Sequence, residues 1–430
     1  MKKFSVIVIG AGGRGSQYIH HMLTLPDKYE IVAVADIAEG RLRTAQEMCN
    51  LPDEMLFHSW EEVLNRPKFA DLVVISTVDR LHYAPAMKAI ELGYHILLEK
   101  PVAPTPEECA EIALAAEKKG VSVLVCHVLR YSFFYKTIKQ LLMDGIVGDV
   151  ISIAAVEGVN TIHQSHSYVR GNWHSEKESA PMLLAKSCHD LDIVQWFLDK
   201  PCKKVSSFGS LTHFCQKNAP EGAPVRCADG GCPIGDTCPY NCIKLYYDDK
   251  DNAWFRRSAT RAFAKTGKPT DEEVMHALKT TDYGLCVYQA NNDVVDHQVV
   301  NMEFEDDTTV QFTMTAFAKG SRHMRIFGTI GELCAYADED TIAFFNHADK
   351  TTTYIPVNRT YASNMHGGGD LGIVNELYEY LSGNYTGFCA ADIDRSVKNH
   401  MIAFAAERAR HNNTVEDMDS YMAEFGLKND

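Results

Sequence analysis

The sequence predicts an α/β fold that opens with a doubly wound parallel sheet, and three observations carry that prediction. Short continuous apolar runs recur through residues 1–128, helix-like stretches separate them, and a glycine-rich turn joins the first run to the first helix. Strands covered on both faces read as unbroken apolar runs, and regular alternation of strand and helix is how a doubly wound sheet is encoded.

The first run is 5–10 (SVIVIG), which passes directly into Gly10-Ala11-Gly12-Gly13-Arg14-Gly15. A helix-like stretch over 16–25 is stopped at Pro26, and a second run, 31–35, ends in Asp36. Gly10 permits the tight turn, Gly12 lets the backbone approach a pyrophosphate, and Gly15 lets helix and strand pack closely. The helix N-terminus then faces the phosphates with unpaired N–H groups. A carboxylate at Asp36, about 20 residues on, can accept both ribose hydroxyls and would repel a 2′-phosphate, which favours NAD over NADP. Runs at 72–76, 96–98 and 121–126 continue the sheet, with helices expected at Tyr83–Leu92 and Pro106–Lys119. Ligands of such sheets sit at the carboxyl ends of the strands, so Thr77, Asp79, Glu99, Lys100 and His127 are candidate site residues, together with Gly13 and Arg14.

Composition bounds the rest. A chain of 430 residues with 46% hydrophobic and 23% charged residues is globular and long enough for about two domains. A net charge of −15 without a Lys/Arg block argues against nucleic acid, and no apolar run is long enough to span a membrane. Lys2-Lys3 before an apolar stretch imitates a secretory signal, but cleavage there would destroy the glycine turn, and Arg14 ends the run early. Thirteen cysteines, an odd number, do not suggest a disulfide framework, so a cytoplasmic location is expected.

GAGGRG at 10–15, STVDRLH at 76–82 and above all Glu99-Lys100-Pro101 followed by Val102 resemble the Gfo/Idh/MocA (glucose-fructose oxidoreductase/inositol dehydrogenase) family. The resemblance covers the whole chain, with the second part diverged. It implies a Rossmann domain at 1–128 and, at 129–430, a C-terminal α/β domain on a large, mostly antiparallel open sheet. It further implies a bound nicotinamide cofactor, a carbohydrate or cyclitol substrate, a homodimer or homotetramer formed through the second sheet, and a place for His82 in the cofactor site. The E-K-P lysine of the family stands beside the nicotinamide and the substrate hydroxyl, a role that falls on Lys100.

In the second part, 180–200 has apolar residues at 184, 188, 191, 194 and 198, a helical repeat opened by Pro181. On one helix Lys186, His189 and Asp190 would share a face. The family's Asp four residues before the histidine is here Ala185, with Lys186 next to it; Lys100, His189 and Lys186 are therefore the catalytic candidates. Like charges on Lys100 and Lys186 would depress one ammonium toward neutrality and make it a base; the plain alternative is a surface Lys186–Asp190 pair. Cys188 falls on the apolar repeat and reads as packed.

Arg170 and Trp173 in YVRGNWH, Asp190, and His366 and Asp370 in HGGGD are candidate substrate contacts, since a sugar needs several polar groups around an aromatic platform. The region 299–317 alternates as a hairpin around Glu305-Asp306-Asp307-Thr308. Short strands at 324–327, 332–336, 341–345 and Thr352–Pro356 follow, and helices at 371–382 and 393–411 close the chain. Between these elements an insertion at about 213–242 carries His213, Cys227, Cys232, Cys238 and Cys242, which suggests structural zinc held by three cysteines plus His213 or Cys242. The sequence thus reads as an NAD-dependent oxidoreductase. Its rivals are a glycosidase or lyase using tightly held NAD for transient oxidation, and a non-catalytic NAD-binding regulator.

Overall fold

The computed structural model describes residues 2–261, 268–360 and 366–430. Six parallel strands form the first sheet: β1 (Phe4–Ile9), β2 (Tyr29–Ala35), β3 (Leu56–Phe57), β4 (Leu72–Ile75), β5 (His95–Leu98) and β6 (Val123–Val125). Their order, β3-β2-β1-β4-β5-β6, reverses direction beside β1, which places the ligand crevice where β1 meets the glycine turn. Val6, Val8, Val73, Val74, Leu97 and Leu98 are wholly inaccessible, as strands covered on both faces must be. The helices Tyr83–Leu92 and Pro106–Lys119 end where the sequence places them, each on a glycine with positive φ (Gly93, 81°; Gly120, 69°). Thr105 caps the second by accepting from Glu108 N.

The second sheet has nine strands: β7 (Val150–Gly158), β8 (Cys202–Ser210), β9 (His297–Phe304), β10 (Thr309–Thr315), β11 (Arg322–Gly328), β12 (Gly331–Tyr336), β13 (Thr341–Asn346), β14 (Thr352–Pro356) and β15 (Glu416–Asp417). The order is β14-β13-β12-β11-β7-β10-β9-β8-β15, and only β7 and β10 run parallel. The alternating burial of β9 and β10 shows one face packed and one open.

The end of the chain returns to the first sheet. Val125 N donates to the Ala391 carbonyl, and the helix Ile393–Asn412 packs against Pro106–Lys119. The helix Gly369–Leu381 lies on the helix Gly13–Leu23, and Tyr29 Oη donates to the Val374 carbonyl at 2.7 Å. The two sheets are therefore fixed to each other through late elements that sequence order alone would assign to the second domain.

One expected element is different. Residues 180–200 form two helices, Met182–Ala185 and Cys188–Leu198, not one. The break falls at Lys186-Ser187, where Ser187 leaves helical geometry (φ −97°, ψ 5°). Lys186 there turns into a buried ion pair, so the exposed Lys186–Asp190 helix pair does not form. Among the described residues no helix is long and apolar enough to cross a membrane.

Candidate active site

The glycine turn has the shape its sequence demands. Gly10 has φ of 90°, and a Cβ there would lie 2.6 Å from the Ser76 carbonyl oxygen. A Cβ on Gly15 would fall 1.8 Å from the Gly10 carbonyl oxygen, so helix and strand touch backbone to backbone. Over Gly13, by contrast, nothing lies within 4 Å of where a Cβ would be, and over Gly12 only Arg41 does, at 3.5 Å. The helix Gly13–Leu23 has no side-chain cap and no acidic residue in its first turn, leaving its first amides for an anion. Asp36 closes the turn from below. It accepts from Ala11 N at 2.8 Å and Ala38 N at 2.8 Å, and meets Arg41 Nε at 3.1 Å. Open space over the glycines, bare amides and a strand-end carboxylate fit a dinucleotide.

At the end of β5, Glu99 is buried and accepts from Tyr18 Oη at 2.6 Å and Arg14 Nε at 2.7 Å. Burial alone would raise its pKa, but the charges of Arg14 and Lys100 hold it below the usual range. Arg14 also donates to Asp370 at 2.7 Å, and Asp370 in turn meets His366 Nδ1 at 2.9 Å. Burial opposes ionisation of Asp370 too, yet His366 and Arg14 hold its pKa well below the ordinary value. The two residues drawn from the HGGGD segment thus reach the glycine turn through one arginine.

Lys100 Nζ donates to the Ala185 carbonyl at 3.1 Å, on the last residue of the short helix before the break. His189 lies in the first turn of the next helix, is buried, and leaves Nδ1 without a partner. Burial, then the nearby charge of Lys100, depress its pKa well below 6.5, so it is a neutral imidazole at physiological pH. Lys186 Nζ lies 3.2 Å from Glu157, Glu157 lies 2.7 Å from Arg322, and Arg322 donates to Asp190 at 2.7 Å. These four charges form a buried chain of alternating sign. Burial and then Glu157 raise Asp190 to about 6. Lys186 is depressed by burial and by Arg322, against the pull of Glu157. The dominant like charge beside Lys186 is thus Arg322, whereas the sequence reading supplied Lys100.

Glu157 and Arg322 escaped the sequence reading, and so did His163. Its pKa falls to about 3 through burial and then the charges of Lys186, Arg322 and Lys100, which puts it in the same group. His163 also lines an open cleft with Asn160, Thr161, Trp254 and Lys319, and its ring stands 5.5 Å from the half-exposed Trp254. That tryptophan, not Trp173, offers an open aromatic face.

Other candidates are drawn elsewhere. Trp173 Nε1 donates to Asp79 at 2.9 Å, joining the two parts of the chain, while Thr77 Oγ1 donates to the Leu81 carbonyl. His82 is fully buried with its ring nitrogens on the Pro101 and Thr77 carbonyls, and so braces the E-K-P loop. His127 is equally buried, its Nδ1 3.6 Å from Asp192 and its ring edge-on to His189 at 5.8 Å. Cys188 is buried, and burial pushes its thiol up to about 12, so it is packed and not nucleophilic. Arg170 is buried beside the cysteine insertion, donating to the Leu285 and Tyr240 carbonyls at 2.8 Å.

The zinc set also needs correction. Among the described residues no three of His213 and the cysteines bring ligand atoms within 4.8 Å of one another. His213 points instead into an aromatic cluster with Tyr240 and Tyr288, and Cys242 is packed in a small core with Tyr246 and Phe255.

Two family models match the chain. One, described as an oxidoreductase family with an NAD-binding Rossmann fold, matches residues 4–127; the other, the oxidoreductase family C-terminal alpha/beta domain, matches residues 139–387. A Bacillus subtilis chain named as an oxidoreductase, YteT, is 23% identical over 81% of this chain and 82% of its own length. The scyllo-inositol 2-dehydrogenase (NADP(+)) IolW of the same bacterium is 30% identical over 40% of this chain and 45% of its own. The chain spans about half the length of several of the curated relatives it matches. A solved scyllo-inositol dehydrogenase from Lactobacillus casei, with NAD(H) and scyllo-inositol bound, shares the fold with a TM-score of 0.64 at 15% identity, over 97% of this chain and 99% of that one.

Proposed function

The chain belongs to the Gfo/Idh/MocA oxidoreductase family, and on that premise we propose that it transfers hydride between NAD and a secondary hydroxyl or ketone of a sugar, cyclitol or glycoside. The observation that carries this reading is the meeting of Lys100, tethered to Ala185, with the neutral His189 at the carboxyl end of β5. Gly10, Gly12, Gly13 and the first amides of the helix Gly13–Leu23 would hold the pyrophosphate, and Asp36 the ribose. NAD supplies the hydride acceptor when bound.

The protein's own part is to place and move a proton. His189 is unprotonated at neutral pH and takes the substrate hydroxyl proton on a ring nitrogen. Lys100 remains beside it as a fixed positive charge that favours the developing alkoxide and keeps the imidazole neutral until the proton arrives. Lys186, held by Glu157 in the buried charge chain, donates a hydrogen bond to a neighbouring hydroxyl and keeps its proton, its charge offset by Glu157. Trp254 and His163 give the ring of the substrate a platform on the open side of the cleft.

The same reading divides the chain into a cofactor domain at 1–128 and a substrate domain at 129–430. It also places the protein in the cytoplasm as a homodimer or homotetramer through the nine-stranded sheet, supported by the exposure of Ile151, Phe208 and Tyr354 on its strands. The test is to denature the purified protein, quantify released nicotinamide by mass spectrometry, and then offer the native protein cyclitols, sugars and aryl glycosides with and without added NAD. NADH accumulating only with added NAD is the expected result. Retained NAD with glycoside cleavage and no NADH would replace the dehydrogenase by a lyase-type glycosidase.

A further inference from the structure

The helix Ala253–Thr260 belongs to the long insertion between β8 and β9, and it reaches back to the segment that follows β7. Its Phe255 is buried and stacks on His166 at 4.1 Å, with the two rings 8° from parallel. Beside it Trp254 is wedged against His166 at 4.6 Å and stands edge-on to His163 at 5.5 Å, yet it remains 41% exposed. Fixing an indole in one orientation while leaving its face in water forgoes the burial that so large an apolar surface could supply. The face is preorganised for a ligand that covers it.

The open cleft in front of Trp254 adjoins the buried charge chain. Asn160, Thr161 and His163 come just after Glu157 at the end of β7, and Lys319 comes just before Arg322 at the start of β11. The two turns are locked together. Gly158 N donates to the Ser321 carbonyl at 3.0 Å, and a Cβ on Gly320 would lie 2.7 Å from Asn160 Nδ2. Outward from Lys186 the order is therefore Glu157, then His163, then Trp254. A ring held by Lys100 and His189 leaves the Trp254 face, one side chain farther out than His163, to a second ring joined to the first. The charge of the wall also selects. Burial and then the nearby cations keep His163 neutral, with its pKa lowered to about 3, and Lys319 is already paired with Asp338 at 2.7 Å. Such a wall suits an uncharged, hydroxyl-bearing ligand better than a phosphate or a carboxylate.

We propose that Trp254 is the platform for a second sugar ring, so that the substrate is a neutral glycoside of at least two rings and not a free cyclitol. The inner ring, at Lys100 and His189, loses a hydride to NAD and a hydroxyl proton to His189 and becomes a ketone, while the glycosidic bond stays intact. The proposal rests on the hydride-transfer reading for the inner ring; the outer ring is held by the insertion.

The full chain, loaded with NAD, is offered matched probes: methyl glucoside against maltose and cellobiose, methyl galactoside against lactose, and myo-inositol against galactinol. NADH formation and tryptophan fluorescence are read together. At least one two-ring probe should exceed its one-ring counterpart by about tenfold or more in kcat/KM, with the difference in KM. Trp254→Ala should lower kcat/KM for that two-ring probe about tenfold more than for its counterpart, and Trp254→Phe, which still offers a ring, should recover most of the loss. The same probe should quench the fluorescence of the unaltered chain and not that of Trp254→Phe. Equal kcat/KM within every pair overturns the proposal and leaves hydride transfer standing, as does a Trp254→Ala loss that is the same for one ring and two. If no probe yields NADH, hydride transfer falls and fluorescence decides the outer site. Quenching by two-ring probes alone, lost in Trp254→Phe, upholds it; no such quenching overturns it.

Discussion

Replacing His400 by glutamine probes how the Glu99-Lys100-Pro101 loop is held. His400 is fully buried on the helix Ile393–Asn412, with Nε2 accepting from Val102 N at 3.0 Å and Nδ1 2.7 Å from Asn399 Oδ1. A nitrogen that accepts carries no proton, so the ring is neutral and pins the residue two places after Lys100. Burial and the neighbouring His127 lower its pKa to about 3; Asp192 pulls the other way, and Lys100 adds to the depression. The unfolded chain returns it to about 6.5. A folded pKa below the unfolded one means that the stability it secures is whole above pH 6.5 and is lost as the pH falls toward 3. At pH 5 the loss is about 1.5 × 1.36, or about 2 kcal/mol, and unfolding there takes up about one proton at this residue. Urea unfolding between about pH 5 and 6 measures the slope. His400→Gln, whose amide oxygen can still accept from Val102, should lower that slope by about 1.2 kcal/mol per pH unit while costing at most about 1–3 kcal/mol at neutral pH. An unchanged slope would show that His400 is not the neutral brace described.

Three further perturbations separate the cofactor turn, the core and the charge chain. Gly15→Ala drives a Cβ into the Gly10 carbonyl and should abolish soluble, NAD-binding protein, whereas Gly13→Ala, with open space around it, should keep the melting temperature and weaken NAD about tenfold or more by calorimetry. Arg130→Met strands Asp192, which Arg130 holds by two bonds of 2.7 and 2.6 Å in the core, and should cost about 3–5 kcal/mol in urea unfolding. Lys186→Met removes the depressed ammonium from the Glu157–Arg322 pair and should alter the pH dependence of kcat/KM; a profile identical to that of the unaltered protein would exclude Lys186 from the proton chemistry.

What was legible in the sequence is what local chemistry decides. The strands of the first sheet are apolar because both faces are covered, and the helices Tyr83–Leu92 and Pro106–Lys119 end on glycines that alone adopt positive φ cheaply. The hairpin β9–β10 follows from strict alternation. Residues whose roles depend on pairing across the chain were not legible. Arg322 and Glu157 stand directly opposite each other on β11 and β7, and nothing near either one in sequence marks the partner. Their single local sign is a charge at a buried strand position. The helix break at Lys186-Ser187 likewise arises from a buried ion pair overriding a helical pattern.

These misses share a cause that bears on mechanism. The motif that carries the family resemblance, Glu99-Lys100-Pro101, directly follows β5 of the first sheet, yet almost everything that orients Lys100 comes from later in the chain. Ala185 receives its ammonium, His400 holds Val102, and Asp370 anchors the Arg14 that holds Glu99. The first sheet on its own would therefore carry the glycine turn and retain a site for the dinucleotide, but its lysine would lack the tether that sets it against His189. Under the proposed hydride transfer, cofactor affinity and catalytic competence are separable in this architecture, and a substitution at His400 should lower kcat through Val102 and Lys100 while leaving NAD affinity unchanged.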